Sequence, residues 1–337
     1  MSISNFKIIC LTPVKNESWI LEKFIKSTLI WADNIIIADQ DSEDNSIEIA
    51  NKFPKVKVIK NIFPFDECER QNLLIQEARK IEGNKILIAL DADEIFTPEF
   101  FDFILQDKIK KLKQGTVLRS KFINITPDFG YYWSSTFNLP WGFIDNSSIN
   151  SGKKIHNFRF PINRNTSFLD IDEIKIMHFQ YTDWDRMESK HRWYQCWEKI
   201  NNPYSSSVRR YRGYHHMYSI RKSELKELPV RWLDYYKEYG INLKEVIKDN
   251  IYYWDKVVLD YLLKYNSKFF AKESIWDIDW SMLAKGLNFK YGNKSDFKDP
   301  RTLFQKLVHK WLKKTQKNYP SFYVRFIDKI LINLFKF

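Results

Sequence analysis

Residues 86–96 read ILIALDADEIF, an apolar run that ends in Asp91, Asp93 and Glu94. Aspartates two positions apart project to the same side of an extended chain and can converge on one cation. Carboxylate oxygens suit Mg2+ or Mn2+, which usually takes one or two such groups and completes its shell with phosphate oxygens and water. The same residues also suit a solvated acidic turn, because acids are favoured at helix starts and Thr97-Pro98 opens a helical stretch. A position directly after a buried strand favours the metal.

The elements around that run decide where it sits. KIICL at 7–11 has strand length and leads through TPVKNE into SWILEKFIKSTLIWA. There Ile20, Leu21, Phe24, Ile25, Thr28 and Leu29 recur at helical spacing. NIIIA at 34–38 predicts a second strand, followed by a loop from Asp39 to Ser46 rich in helix-capping residues. KVKVI at 55–59 alternates as a third strand, 67–80 reads as helix, and 85–90 is the fourth strand. Alternating strands and helices predict an α/β fold with a mostly parallel sheet, and such sheets bind ligands beyond the carboxyl ends of their strands. The loops after the first, second and fourth strands therefore share one edge. Further on, a helix is expected over 98–113, a strand from Val117 and an aromatic, turn-rich stretch over 128–164. From Asp183 the sequence reads as mostly helical, with a boundary near Asn201.

At 337 residues, 44% hydrophobic and 17% aromatic, the chain has ample material for a packed core, and disorder is excluded. Three widely spaced cysteines, Cys10, Cys68 and Cys196, suggest neither a disulfide framework nor a thiolate metal site, which fits a reducing cytoplasm. The start shows no basic region leading into a long apolar one, and no apolar run approaches the length of a membrane span, so neither export nor a span is expected. A formal charge of +12 calls for an anionic partner, with nucleic acid, a lipid surface and a phosphorylated small molecule all qualifying. Much of the excess lies at the C-terminal end, where Arg301, Lys306, Lys310, Lys313, Lys314, Lys317, Arg325, Lys329 and Lys336 face a single acid, Asp328.

Four motifs occur in order: LTPVKNES, the ADQDSEDNS loop, Arg70-Gln71-Asn72 heading a helix, and LDADEIF. Together they resemble glycosyltransferase family 2, and more narrowly the bacterial branch that builds lipopolysaccharide core and capsule sugars. The resemblance covers residues 6–100 well and extends patchily to 200. It implies a GT-A fold over 1–200, with a donor half at 1–100 and an acceptor half at 101–200, followed by a helical, basic region at 201–337. It also implies a nucleotide-sugar donor, with a UDP-sugar expected, held over Mn2+ or Mg2+, and a saccharide or lipid-linked glycan acceptor. Carried onto this sequence, it sets Pro13, Asn16 and Glu17 against the base and ribose, Asp39 on the base and Arg70 orienting the nucleotide. Asp91 falls near the ribose and donor sugar, and Asp93 becomes the principal metal ligand. Gln40 and Asp41 depart from the family pattern and receive no contact. For Asp39 and Asp44, plain turn and cap chemistry is the alternative.

Family 2 enzymes generally invert, so a base must take the acceptor hydroxyl's proton. Related chains often carry a His-Glu pair, whereas this one has His156-Asn157. The base is then Asp145, placed by order along the chain, or His156, or the chain is inactive. His178 closes the apolar run IKIM as Asp91 closes ILIAL, and is either a ligand of the metal or diphosphate or a hydrogen-bonded core residue. Lys190 and Arg192 either neutralise the diphosphate or form a solvated helix face. Tyr132, Trp133 and Trp141 either stack on an acceptor sugar or fill core.

The C-terminal segment interleaves Leu303, Phe304, Leu307, Val308, Trp311 and Leu312 with lysines, the composition of an interfacial helix pair at the inner face of the cytoplasmic membrane or of a helix packed on its own domain. Nucleic acid is not an expected partner. Two other classes compete with the transferase: a nucleotidyltransferase, which usually carries a Gly-rich phosphate loop that TPVKNES lacks, and a non-catalytic carbohydrate or nucleic-acid binder.

Overall fold

The computed structural model describes residues 6–63, 66–105, 109, 112–152, 157–248, 251–287, 289, 297–319 and 321–337. In chain order the first elements are β1 (Lys7–Val14), α1 (Leu21–Thr28), β2 (Asn34–Asp39), α2 (Ser46–Ala50), β3 (Val56–Lys60) and α3 (Glu67–Arg79). β4 (Lys85–Ala89), β5 (Glu94–Phe96), α4 (Glu99–Leu105), β6 (Val117–Ile125), β7 (Tyr131–Ile144) and β8 (Phe168–His178) follow. Next come α5 (Trp184–Asn201), α6 (Ser207–Tyr214), β9 (Lys226–Glu227), α7 (Val230–Lys237), α8 (Tyr253–Tyr265), α9 (Trp280–Gly286), α10 (Leu303–Thr315) and α11 (Phe322–Asn333).

The contacts divide the chain into two units, one of Met1–Asp183 with Lys226–Lys248, the other of Trp184–Leu225 with Asp249–Phe337. The expected boundary near Asn201 falls inside neither division point, because α5 packs with α8 in the second unit. Conversely, 226–248 returns to the first unit: β9 pairs with β7 at Tyr131 and Tyr132, and the buried Tyr236 hydroxyl donates to the Phe96 carbonyl at 2.6 Å.

The first unit holds a nine-stranded sheet in the order β3-β2-β1-β4-β7-β6-β8-β5, with β9 beside β7. Its first four strands, β3-β2-β1-β4, are parallel, as expected, and antiparallel pairing enters at β7. The central strands are buried on both faces, which is why they read as unbroken apolar runs. Ile8 and Cys10 of β1, Ile35 and Ile37 of β2, and Ile86 and Ile88 of β4 face the core closed by Leu21, Phe24 and Ile25 of α1. The alternate residues, Ile9, Leu11, Ile36, Ala38, Leu87 and Ala89, face Leu74, Ile75 and Ala78 of α3. Each buried Ile or Leu contributes about 1.5–3 kcal/mol, so the sheet's centre is held from both sides. α3 starts where Asp66 accepts the Glu69 N–H at 3.1 Å, and it runs back along the sheet.

The second unit is helical. Cys196 of α5 joins Val258, Leu259 and Leu262 of α8, Phe270, Trp276 and Trp280 in one core, and α6, α10 and α11 form another around Tyr211, Leu312 and Leu331. Two buried ion pairs hold it, Arg210 with Glu273 at 2.6 Å and Arg212 with Asp328 at 2.9 Å. Among the described residues no helix is long and apolar enough to cross a membrane. Cys10, Cys68 and Cys196 are all buried and free.

Candidate active site

Parallel pairing puts the carboxyl ends of β1, β2 and β4 side by side, so their exit loops meet. Those after β1 and β2 are laced together by backbone donors on one and side-chain oxygens on the other. Asn16 N–H donates to Ser42 Oγ at 3.0 Å, Glu17 N–H to Ser46 Oγ at 2.9 Å and Ser18 N–H to Asp44 Oδ2 at 3.0 Å. Glu43 N–H returns a bond of 2.7 Å to Asn16 Oδ1. Asn16 adopts φ 55° to do this, a left-handed conformation that asparagine tolerates better than most residues. Burial alone would raise the Asp44 carboxyl, but hydrogen bonds from Ser46 and Ser18 hold it below its ordinary value.

Asp44 is thus the keystone of the loop pair, the cap chemistry offered as its alternative. Asp44→Ala is expected to destabilise the fold by about 1–2 kcal/mol at neutral pH, through two donors left unpaired. Because the folded carboxyl titrates below the unfolded one, that stabilisation is fully present above the unfolded value and is lost as pH falls through the folded one. Urea titrations at neutral pH and below about pH 4 should show the gap between wild type and variant closing in acid.

Asp39 ends β2 only 8% exposed. Its Oδ2 accepts the Ser42 N–H at 3.1 Å, while Oδ1 is buried with no hydrogen-bond partner. A buried carboxylate oxygen without a donor is costly, and an N–H on a bound base would satisfy it. In the first turns of α3, at the same edge of the sheet, Arg70 Nε and Gln71 Oε1 are likewise buried and unpartnered. Pro13, still within β1, pairs with Ala38. The two residues excluded from nucleotide contact have other partners: Gln40 accepts from Asn61 at 3.4 Å and Asp41 meets Lys60 at 3.0 Å.

The acidic exit of β4 turns sharply, with the Asp91 N–H on Glu94 Oε2 at 2.9 Å and the Glu94 N–H on the Asp91 carbonyl at 3.0 Å. Its like charges are tolerated because Arg159 sits among them. The guanidinium donates to both Glu94 oxygens at 2.6 and 2.7 Å, to Asp91 Oδ2 at 3.1 Å and to the Ala89 carbonyl at 3.0 Å. Burial opposes the charge on Arg159, but the Asp91 and Glu94 carboxylates outweigh it and keep the arginine protonated. Burial also pushes the Glu94 carboxyl up, against the pull of Arg159. The sequence reading missed Arg159, which lies in the turn-rich stretch and belongs to none of the motifs.

The third element is β8. It pairs antiparallel with β5, setting His178 opposite Glu94, and this brings His178 Nε2 to 3.5 Å from Asp93 Oδ2. His178 Nδ1 lies 2.9 Å from Asn124 Oδ1, which anchors that side of the ring and leaves Nε2 facing Asp93. A carboxylate oxygen facing an imidazole nitrogen, with the far nitrogen anchored by an amide, is a donor set suited to Mn2+ or Mg2+. Among the described residues no three His, Cys, Asp or Glu side chains form a preformed cage, so a divalent ion held there would take its other ligands from outside these side chains. Tyr181 stands edge-on to His178 with ring centroids 6.0 Å apart, and the Trp133 ring lies 4.8 Å from that of Tyr181. Burial pushes the Tyr181 hydroxyl up to about 12.

Other expected site residues fall elsewhere. Asp145 requires correction as the base: its N–H bonds the carbonyl of Lys85 at the amino end of β4, and its carboxylate receives Arg79 at 2.7 and 3.1 Å. Chain order put it near the donor; the antiparallel return of β7 carries it to the opposite edge. Arg192 is also corrected. It is buried within the second unit and committed to Asp255 at 3.2 Å and Asp277 at 2.8 Å. Lys190, in that same unit, holds its ammonium 5.8 Å from the Trp254 ring. Trp141 is core, its indole N–H on Ser120 Oγ, and Tyr132 packs on Trp232. His156 lies outside the described residues.

Residues 9–170 match the sequence model of glycosyl transferase family 2. The matched span runs from β1 to the start of β8 and contains every loop of the edge just described. No curated protein matches the chain. Among solved structures, glucosyl-3-phosphoglycerate synthase from Mycobacterium tuberculosis, in complex with Mn2+, UDP and phosphoglyceric acid, is 19% identical with a TM-score of 0.28, over 34% of this chain and 43% of that one. S. aureus TarS 1–349 in complex with UDP is 17% identical with a TM-score of 0.29, over 35% and 36%. 4-Diphosphocytidyl-2C-methyl-D-erythritol synthase is 17% identical with a TM-score of 0.29, over 34% and 60%. The chain thus spans less than half the length of the synthase and TarS chains, and likeness at these scores carries no argument about what the chain does.

Proposed function

We propose that the chain is a metal-dependent, inverting glycosyltransferase that moves a sugar from a nucleotide-sugar to a saccharide or lipid-linked glycan acceptor. The observation that carries this reading is the facing pair of Asp93 and His178 at the carboxyl edge of a parallel sheet. Asp39 Oδ1 would take an N–H of the base, and Arg70 would steady the nucleotide from the head of α3. Asn16 and Glu17, fixed by the second loop, would border the base and ribose. Arg159 holds Asp91 and Glu94 in place so that Asp93 presents its carboxylate beside His178. A Mn2+ or Mg2+ held there would offset the charge that grows on a departing diphosphate. His156 is the remaining candidate base, from its order in the sequence. The resemblance to lipopolysaccharide-core and capsule enzymes supports a bacterial surface glycan as the acceptor and the cytoplasm as the site of action.

Nucleotide-sugars screened for thermal stabilisation test the reading. A UDP-sugar at 100 times its dissociation constant should add about 2.7 kcal/mol of stability with Mn2+ present and distinctly less in chelator. A panel of nucleotide-sugars that leaves the melting temperature unmoved with Mn2+ would overturn it.

A further inference from the structure

Within the second unit, α10 and α11 turn Val308, Leu312 and Leu331 toward Val208 and Tyr211 of α6. Their outer faces are apolar too. Leu303 is 82% exposed, Leu307 63%, Phe322 86% and Phe326 57%. Helical spacing sets Leu303 and Leu307 in one stripe with Lys310 and Lys314, and Phe322 and Phe326 in one stripe with Lys329. The Phe304 and Phe335 rings, 4.9 Å apart, join the start of α10 to the end of α11, so the two helices form a hairpin. Asp328, the single acid of residues 301–337, is buried against Arg212. Every outward side-chain charge on the hairpin is therefore positive. At its turn an open cleft of about 500 Å3, lined by Arg221, Lys317, Asn318, Ser321 and Tyr323, adds two more cations.

Bulky apolar tips exposed this far mark an interaction surface. Their lysine neighbours indicate the partner. In an anionic bilayer, rings and leucines enter the acyl boundary while ammonium groups stay at the level of the phosphates. A second copy of this chain would instead set lysines against lysines. We propose that the outer face of the α10–α11 hairpin docks on an anionic membrane surface. This goes beyond the transferase reading and does not depend on it.

Co-sedimentation of the full chain with lipid vesicles tests the docking. At ~0.15 M salt, where exposed charges still act across about 8 Å, the chain should sediment with vesicles containing phosphatidylglycerol and stay in solution with phosphatidylcholine alone. Each lysine near an anionic surface strengthens binding about fivefold, so the double variant Lys310→Ala, Lys314→Ala should bind about 25-fold more weakly. Phe322→Ser with Phe326→Ser should weaken binding about tenfold or more by removing the inserted rings. Both variants should keep the wild-type melting temperature and nucleotide binding, which separates this result from failure of the transferase reading. Absence of sedimentation with anionic vesicles, equal binding to neutral ones, or an unchanged phenylalanine variant would each overturn the proposal. So would a wild-type dimer that the phenylalanine variant dissolves without any vesicle binding, which would make the face a self-association surface.

Discussion

Asp93→Asn is expected to lower sugar transfer by about 1,000-fold, the loss that accompanies removal of one group stabilising a developing charge. The replacement keeps size and shape at a residue that is 5% exposed, so the melting temperature should hold to within a few degrees. UDP titrated calorimetrically into the variant should lose the increment in affinity that Mn2+ gives the wild type. Asp145→Asn makes the sharp contrast. It loosens the Arg79 pair at the far edge of the sheet and should lower stability while leaving turnover per folded molecule near wild type. Full turnover in Asp93→Asn, or loss of turnover in a well-folded Asp145→Asn, would reverse the assignment.

Arg159→Met should have the largest effect on stability. Removing one partner of a buried ion pair strands the other, at a cost of about 3–5 kcal/mol. Here the stranded group is Glu94, whose side chain is 3% exposed, with Asp91 beside it. For a unit of this size the melting temperature should fall on the order of 10 °C. Adding Glu94→Gln to Arg159→Met should recover much of the loss, because the buried glutamine is neutral and its amide oxygen can still accept the Asp91 N–H, while Asp91 is half exposed to water. A single variant that melts with the wild type would show that the arginine does not hold the acidic turn.

The N-terminal parallel strands were legible because their physics is local. Strands buried on both faces appear as apolar runs, and loops that cap one another appear as Asp, Ser and Asn clusters, so β1, β2, β4 and their exits could be read off directly. His178 could be placed because an apolar run ending in one polar residue marks a strand end, whatever its partner. Arg159 could not: it lies 65 positions from Glu94, and one arginine in an aromatic, turn-rich stretch is like any other. Asp145 was misplaced because order along the chain does not reveal which end of a strand a residue occupies once the strand turns antiparallel. The return of 226–248 was hidden for a related reason, since an amphipathic helix such as α7 states that it has a buried face but not which core it enters.

The pairing of β5 with β8 has a consequence for how the molecule is assembled. Asp93 and His178 are brought within 3.5 Å by a junction between segments far apart in the sequence, and a slip of one residue in that junction would turn the imidazole to the opposite side of the sheet. Long loops close slowly, so the carboxylates should be in place early and wait for the imidazole during refolding. Competence to hold a divalent ion should thus emerge as one of the last events of folding, behind the recovery of helical signal.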